Sequence, residues 1–117
     1  MTSIGESVFS GCFSLASFTV PFGVSDIGGS AFYNCGSLKS IIIPAGLTEV
    51  GEGAFDECID LKAVYYGGTD EEEWLAIYIE PGNEMLTCTE VYYYSKSECR
   101  DGWHWHYDKD GVTPVVW

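Results

Sequence analysis

The sequence predicts a repeat solenoid, a parallel sheet of stacked coils closed by a short capping helix, one added strand and a C-terminal hairpin. Three observations predict it. Apolar residues recur in register at one constant spacing, each recurrence ends in a short strand-like stretch, and 14 glycines in the chain supply turns rather than long helices. The length, 117 residues, is that of one domain. At 46% hydrophobic and 20% charged residues, the chain can bury a core and is not disordered by composition.

The register is set by Ile4-Gly5, Ile27-Gly28 and Val50-Gly51. The same 23-residue step places Phe9, Phe32 and Phe55 in one column, Cys12, Cys35 and Cys58 in a second, and Leu15, Leu38 and Leu61 in a third. Phe18, Ile41 and Val64, then Val20, Ile43 and Tyr66, complete the pattern, and Pro21 matches Pro44. The last two columns alternate with one position between them, so they face one side of a strand, and proline stops that strand because it cannot donate to a ladder. The third copy breaks there, with Gly67 in the proline's place. One such unit cannot cover its own apolar side chains, whereas copies stacked roughly 4.8 Å apart cover each other.

The stretch Leu-x-x-Ile-x-Ile resembles the strand core of leucine-rich repeats, and with Ile-Gly-x-x-Ala-Phe-x-x-Cys ahead of it the unit resembles the BspA-like (Treponema pallidum-type) subclass of that family. Glycine at Gly23 and Gly46, where many leucine-rich repeats carry an asparagine, fits the same subclass. Val64-Tyr65-Tyr66-Gly67-Gly68-Thr69 with Glu73-Trp74, and the terminal Trp105-His106-Tyr107 through Asp110-Gly111 to Trp117, resemble the family's closing segments. The resemblance implies a leucine-rich-repeat solenoid, an extracellular or cell-surface location, adhesion to host proteins or other cells, no cofactor and no catalysis.

The expected organisation is three repeats over residues 1–68, a capping helix and terminal strand over 69–94, and a linker with a hairpin over 95–117, all in one domain. Thr69-Asp70-Glu71-Glu72 has the spacing of a capping box, with Thr69 as the cap and Glu72 reaching back. Trp74, Ile77 and Tyr78 then share one helical face, and Pro81-Gly82 ends the helix. Thr89 to Tyr94 is expected to form a strand beside Ala63–Tyr66, with Val91 and Tyr93 inward. Trp103 to Trp117 is expected to form a hairpin turning at Asp110-Gly111, with Pro114 placing the returning strand at an edge.

Candidate chemistry is sparse. Parallel stacking suits Cys12, Cys35 and Cys58 to a buried apolar column rather than to disulfides or a metal site. Cys88 and Cys99 flank the last strand, whose ends are roughly 20 Å apart, so they pair only if Ser95–Glu98 folds back. His104 and His106 share a strand face with Asp108, a row expected to be exposed and polar rather than a metal site. No hydrolase, zinc-protease or nucleotide-binding motif is present, so the chain is expected not to be an enzyme.

The expected function is therefore binding, of a protein partner above all. With Phe18 and Val20 inward, Ser17 and Thr19 face out, and so do Ser40 and Ile42, Ala63 and Tyr65, and Glu90 and Tyr92. The row Thr19-Ile42-Tyr65-Tyr92, with Ser17 and Ser40, is a candidate recognition surface, or else a face covered by the tail. Trp103, Trp105 and Trp117 either stack on sugar rings, making a carbohydrate module, or close the hairpin on the last coil. A spacer in a larger surface protein is the third reading. The net charge of −13, from 18 acids against 5 bases, argues against nucleic acid and anionic lipid. No stretch approaches the roughly 20 apolar residues of a membrane span, and no secretory signal is expected within this chain. Nothing before Ile4 resembles a cap, so the first coil is expected to pair with a second copy through Val8, Phe9 and Phe13.

Overall fold

The computed structural model describes residues 2–97 and 102–117. In chain order the elements are β1 (Thr2–Ile4), β2 (Ser17–Thr19), β3 (Val24–Ile27), β4 (Ser40–Ile43), β5 (Glu49–Val50), β6 (Ala63–Tyr66), α1 (Glu71–Leu75), β7 (Tyr78–Ile79), α2 (Glu84–Thr87), β8 (Glu90–Tyr94), β9 (His104–Tyr107) and β10 (Pro114–Val116). They build a solenoid of stacked coils with two sheets. One is a four-stranded parallel sheet in the order β1-β3-β5-β7, the other a six-stranded sheet in the order β10-β9-β8-β6-β4-β2.

The expected columns form. Ser17, Phe18 and Thr19 pair with Ser40, Ile41 and Ile42, and these with Ala63, Val64 and Tyr65, all parallel and in the register of the repeat. The rings of Phe9, Phe32 and Phe55 stack in one file, with centroids 5.3 and 5.1 Å apart and planes within 13°. Phe32 and Phe55 are fully buried, as are Cys35, Cys58, Leu38, Ile41 and Val64. The cysteine column has a polar use as well as an apolar one. The Cys35 thiol donates to the Phe9 carbonyl at 3.1 Å and the Cys58 thiol to that of Phe32 at 3.0 Å. Burial pushes the Cys58 thiol up to about 11, so it stays protonated and keeps donating.

Hydrogen bonding between coils continues outside the strands. Phe9 N–H donates to the Ala31 carbonyl and Phe32 N–H to that of Ala54, each at 2.8 Å, while Gly28 and Gly51 donate to Ile4 and Ile27 at 2.7 Å. The turns that allow this put Ser7, Ser30 and Gly53, and then Gly11, Asn34 and Glu57, in the left-handed region at matching repeat positions. Backbones approach so closely that a Cβ on Gly51 would lie 2.5 Å from the Gly29 nitrogen, and one on Gly28 2.7 Å from the Glu6 nitrogen. Gly67 replaces proline because its N–H donates to the Ile43 carbonyl at 2.7 Å, a bond proline cannot make.

Beyond the third repeat the chain departs from the sequence expectation. A fourth, irregular coil forms: Val50 pairs with Ile79 and Val64 with Val91. The helix is shorter than expected and is capped by the following residue. Asp70 is the N-cap, its carboxylate accepting from Glu73 N–H at 3.0 Å, and Glu73 Oε1 accepts from Thr69 N–H and hydroxyl. Aspartate outranks threonine as a cap, and the acid run lets the box slide along the chain. Tyr78 leaves the helical face and is 61% exposed, because Tyr78 N–H and Glu80 N–H pair with Thr48 and Val50 to extend the first sheet. Trp74 and Ile77 stay buried as expected. Asn83, the buried polar residue of the core, closes the stack: its Oδ1 accepts from Phe55 N–H at 2.9 Å, where earlier coils offer an alanine carbonyl. Its Nδ2 donates to the Gly51 and Glu80 carbonyls.

Replacing Gly51 by alanine forces two coil backbones apart. The expected loss is about 2–3 kcal/mol in urea unfolding, against less than about 1 kcal/mol for the same change at Gly46, where an added Cβ meets nothing within 4 Å.

Candidate functional site

The outward row assembles as the strand alternation requires. Thr19, Ile42, Tyr65 and Tyr92 are successive partners across β2, β4, β6 and β8, and Ser17, Ser40, Ala63 and Glu90 flank them. The Tyr65 and Tyr92 rings stack at 5.4 Å. The row is not an open surface, however. Tyr93 and Tyr94 pair with His104 and Trp105 on β9, which runs parallel to β8, and β10 returns antiparallel. Trp105 therefore shares the face of Tyr94 and lies over the row. Its ring meets Tyr65 at 5.6 Å, Tyr94 at 5.3 Å and Tyr107 at 4.9 Å, its Nε1 donates to the Tyr66 carbonyl at 2.7 Å, and it is 1% exposed. Ile42 is buried with it. Of the six row residues Ile42 is buried, Ser40, Tyr65 and Tyr92 are half-buried, and Ser17 and Thr19 are exposed.

A lone two-stranded hairpin is marginal in water. Burying an indole, roughly 200 Å² at about 25 cal/mol per Å², contributes on the order of 5 kcal/mol and anchors this one. Trp117 adds to the anchor, stacking on His106 at 3.6 Å and donating from Nε1 to the Ser95 carbonyl. Of the three tail tryptophans proposed for sugar stacking, only Trp103 is exposed. The hairpin itself differs from the expected tight turn. Tyr107 pairs with Pro114, so the whole stretch from Asp108 to Thr113 forms the loop, and the Asp110 carboxylate organises it by accepting from Val112 N–H, Thr113 N–H and the Thr113 hydroxyl.

The curled sheet leaves two pits beside the covered row. One, of about 380 Å³, lies between Ser17, Ser40 and Tyr65 of the sheet and Val112–Pro114 of the hairpin loop. The other, of about 250 Å³ and more apolar, is lined by Thr19, Ile42, Pro44 and Ala45 on one side and by Tyr94, Trp105 and Tyr107 on the other. Phe22 stands at its lip, 96% exposed. The sequence reading missed Phe22, yet a signal existed. The matching positions in the next two repeats are Ala45 and Gly68, so a large apolar side chain stands where the turn elsewhere carries small ones. Burial raises the Tyr65 and Tyr107 hydroxyls above the usual range, and their neighbours Tyr92 and Tyr94 add to it, so both pits are lined by neutral phenols at physiological pH.

Among the described residues no group of three or more His, Cys, Asp or Glu side chains stands as a metal site. His104 and His106 are both partly buried rather than fully exposed, packed against Tyr93 and Trp117. The Cys88–Cys99 pairing falls on Cys99, outside the described residues. At the other end of the molecule Val8 and Phe13 are 57% and 61% exposed and Phe9 is half-buried. No helix among the described residues is long and apolar enough to cross a membrane.

Comparison with known proteins agrees with this architecture. The family model described as a BspA type leucine rich repeat region (6 copies) matches residues 1–71. A leucine rich cell surface protein from Faecalibacterium prausnitzii A2-165 has a similar solved structure, with a TM-score of 0.64 and 40% identity over 66% of this chain. The match covers 20% of that protein, so this chain spans a small part of its length. No curated protein matches the chain.

The Asp110 carboxyl is held down to about 2 by the Thr113 hydroxyl and by the Thr113 and Val112 amides. A lowered folded-state pKa stabilises above the ordinary carboxyl value and is lost as pH falls toward the folded one. The hairpin loop is therefore expected to keep its Val112 and Thr113 amide positions at pH 4 and 3, with the change centred near pH 2, read by amide chemical shifts.

Proposed function

The chain belongs to the BspA-type leucine-rich-repeat family, and from that premise we propose that it is a non-catalytic protein-recognition module of a cell-surface or secreted protein. The observation that carries this reading is the apolar groove between β2, β4 and the hairpin, with Phe22 nearly fully exposed at its lip. Exposed aromatics at the mouth of an apolar pit are typical of recognition anchors, and β2 is an edge strand along which an extended partner segment can lie. The cell-surface description of the similar Faecalibacterium protein supports the location. The acidic charge supports a protein partner over nucleic acid or anionic membrane. Tyr65 stacks on Tyr92 and meets the Trp105 ring, and Thr19 is the exposed row residue that borders the groove.

Binding to an immobilised panel of extracellular-matrix and cell-surface proteins tests this. Phe22→Ser is expected to weaken the retained partner at least about tenfold without changing thermal stability, since Phe22 is already in water. Equal retention by Phe22→Ser removes the groove as the contact.

A second reading rests on the first coil. Val8 and Phe13 are exposed there, and Glu6 is the single acid ahead of Asp26. Low charge and open apolar surface favour pairing of two copies through this end. Sedimentation equilibrium is expected to show a dimer that Phe13→Asp converts to monomer, and a monomer at high protein concentration counts against the pairing.

A further inference from the structure

The six-stranded sheet has two edge strands, β2 and β10, and its curl brings them toward each other. Ser17, Phe18 and Thr19 of β2 and Pro114 of β10 line the same pit of about 380 Å³. A seam therefore runs along β2, with that pit at its Ser17 end and the pit of about 250 Å³ at its Thr19 end. Resting on the groove reading above, we propose that an extended segment of the protein partner adds to β2 in this seam as a seventh, antiparallel strand. It places an apolar side chain opposite Thr19 and a small polar one opposite Ser17.

Val20 N–H donates to the Ile42 carbonyl at 2.9 Å, so the peptide groups of Val20 and Phe18 turn toward β4. Alternation then turns the N–H and C=O of Ser17 and Thr19 to the side on which β2 has no neighbouring strand among the described residues. No charged side chain blunts this edge, which reads Ser-Phe-Thr, and Pro21 comes only after the strand has ended. Side chains two apart on an extended chain share a face at roughly 6.6 Å, so one added strand addresses both pits at once. Antiparallel pairing is the more stable per residue, and there the residue opposite Thr19 exchanges two hydrogen bonds with it and shares its face. Ile42, Pro44, Phe22 and Tyr107 wall the Thr19 end and suit an apolar side chain, whereas the Ser17 end carries the Ser40 and Thr113 hydroxyls. Charge selects further. No charged side chain lines either pit, so both inserted residues are neutral, while the net charge of −13 favours basic residues on their flanks. A helical segment spends its backbone donors and acceptors on itself and leaves those of the edge unmet.

The probe is the capped peptide acetyl-Lys-Thr-Leu-Thr-Ser-Thr-Lys-amide, titrated into the whole chain. It is expected to bind saturably in the millimolar range and to move the Ser17 and Thr19 amide protons downfield, as new hydrogen bonds do. N-methylation of its leucine or its serine removes a bond to the edge and is expected to weaken binding about fivefold or more. N-methylation of the threonine between them, whose N–H points away from β2, is expected to change binding less than about twofold. Equal effects at the three positions would overturn the added strand and leave the groove reading standing, since that reading turns on Phe22→Ser against the protein panel. Absence of saturable binding, or shifts that bypass Ser17 and Thr19, would overturn it too. So would Ser17 and Thr19 amides that gain protection in the peptide-free chain as its own concentration rises, which assigns the edge to a second copy.

Discussion

Backbone amides that donate between adjacent coils, in both directions, set the terms for everything else in this molecule. In an ordinary sheet only the strands approach to hydrogen-bonding distance. Here the turns do so as well, through pairs such as Phe32 N–H to the Ala54 carbonyl and Gly51 N–H to the Ile27 carbonyl. A side chain at Gly28 or Gly51 would stand inside the neighbouring backbone. The same spacing brings identical side chains face to face, which is why the phenylalanines stack and why the cysteine thiols reach the carbonyls of the previous coil. Core composition follows from that geometry. Flat rings and small apolar groups tile a column at this repeat, and a charged side chain would meet its own copy.

Such a stack has to be ended. At the fourth coil the side chain of Asn83 does what a backbone carbonyl does elsewhere, accepting from Phe55 N–H, and its amide answers two carbonyls that would otherwise be buried without partners. The six-stranded sheet solves its edge differently. It adds β9 and β10 and curls, so that Trp105 returns over Tyr65. Closing the edge and covering the outward row are thus one event, and the accessible apolar surface moves to the lip at Phe22.

The sequence carried the columns plainly, because they repeat at one offset and each is chemically uniform. It carried little of the fourth coil. There Ile79 follows Val50, and Val91 follows Val64, at wider and unequal spacings, so the register dissolves although the pairing persists. The strand Glu49–Val50 is too short for alternation to show, which hid the second sheet. The cap slid from Thr69 to Asp70 because every residue from Thr69 to Glu73 has a capping or acceptor side chain. The curl of the tail depends on a contact between Trp105 and Tyr65, which lie on strands far apart in the chain, and no local pattern encodes it. Phe22 was legible, as a misfit in an otherwise small column.

Charge divides the molecule along its axis in a way that bears on both surfaces. Of the 18 acids, all but Glu6 lie at Asp26 or later, so the first coil is nearly uncharged. The neighbouring coils nevertheless bring acids alongside it, Asp26 pairing with Ser3 and Glu49 with Asp26, and the screening length of about 8 Å at physiological ionic strength exceeds the spacing of adjacent strands. On the proposed reading, contact at Phe22 and at the first coil draws on apolar burial, with the acids of the neighbouring coils setting its response to salt.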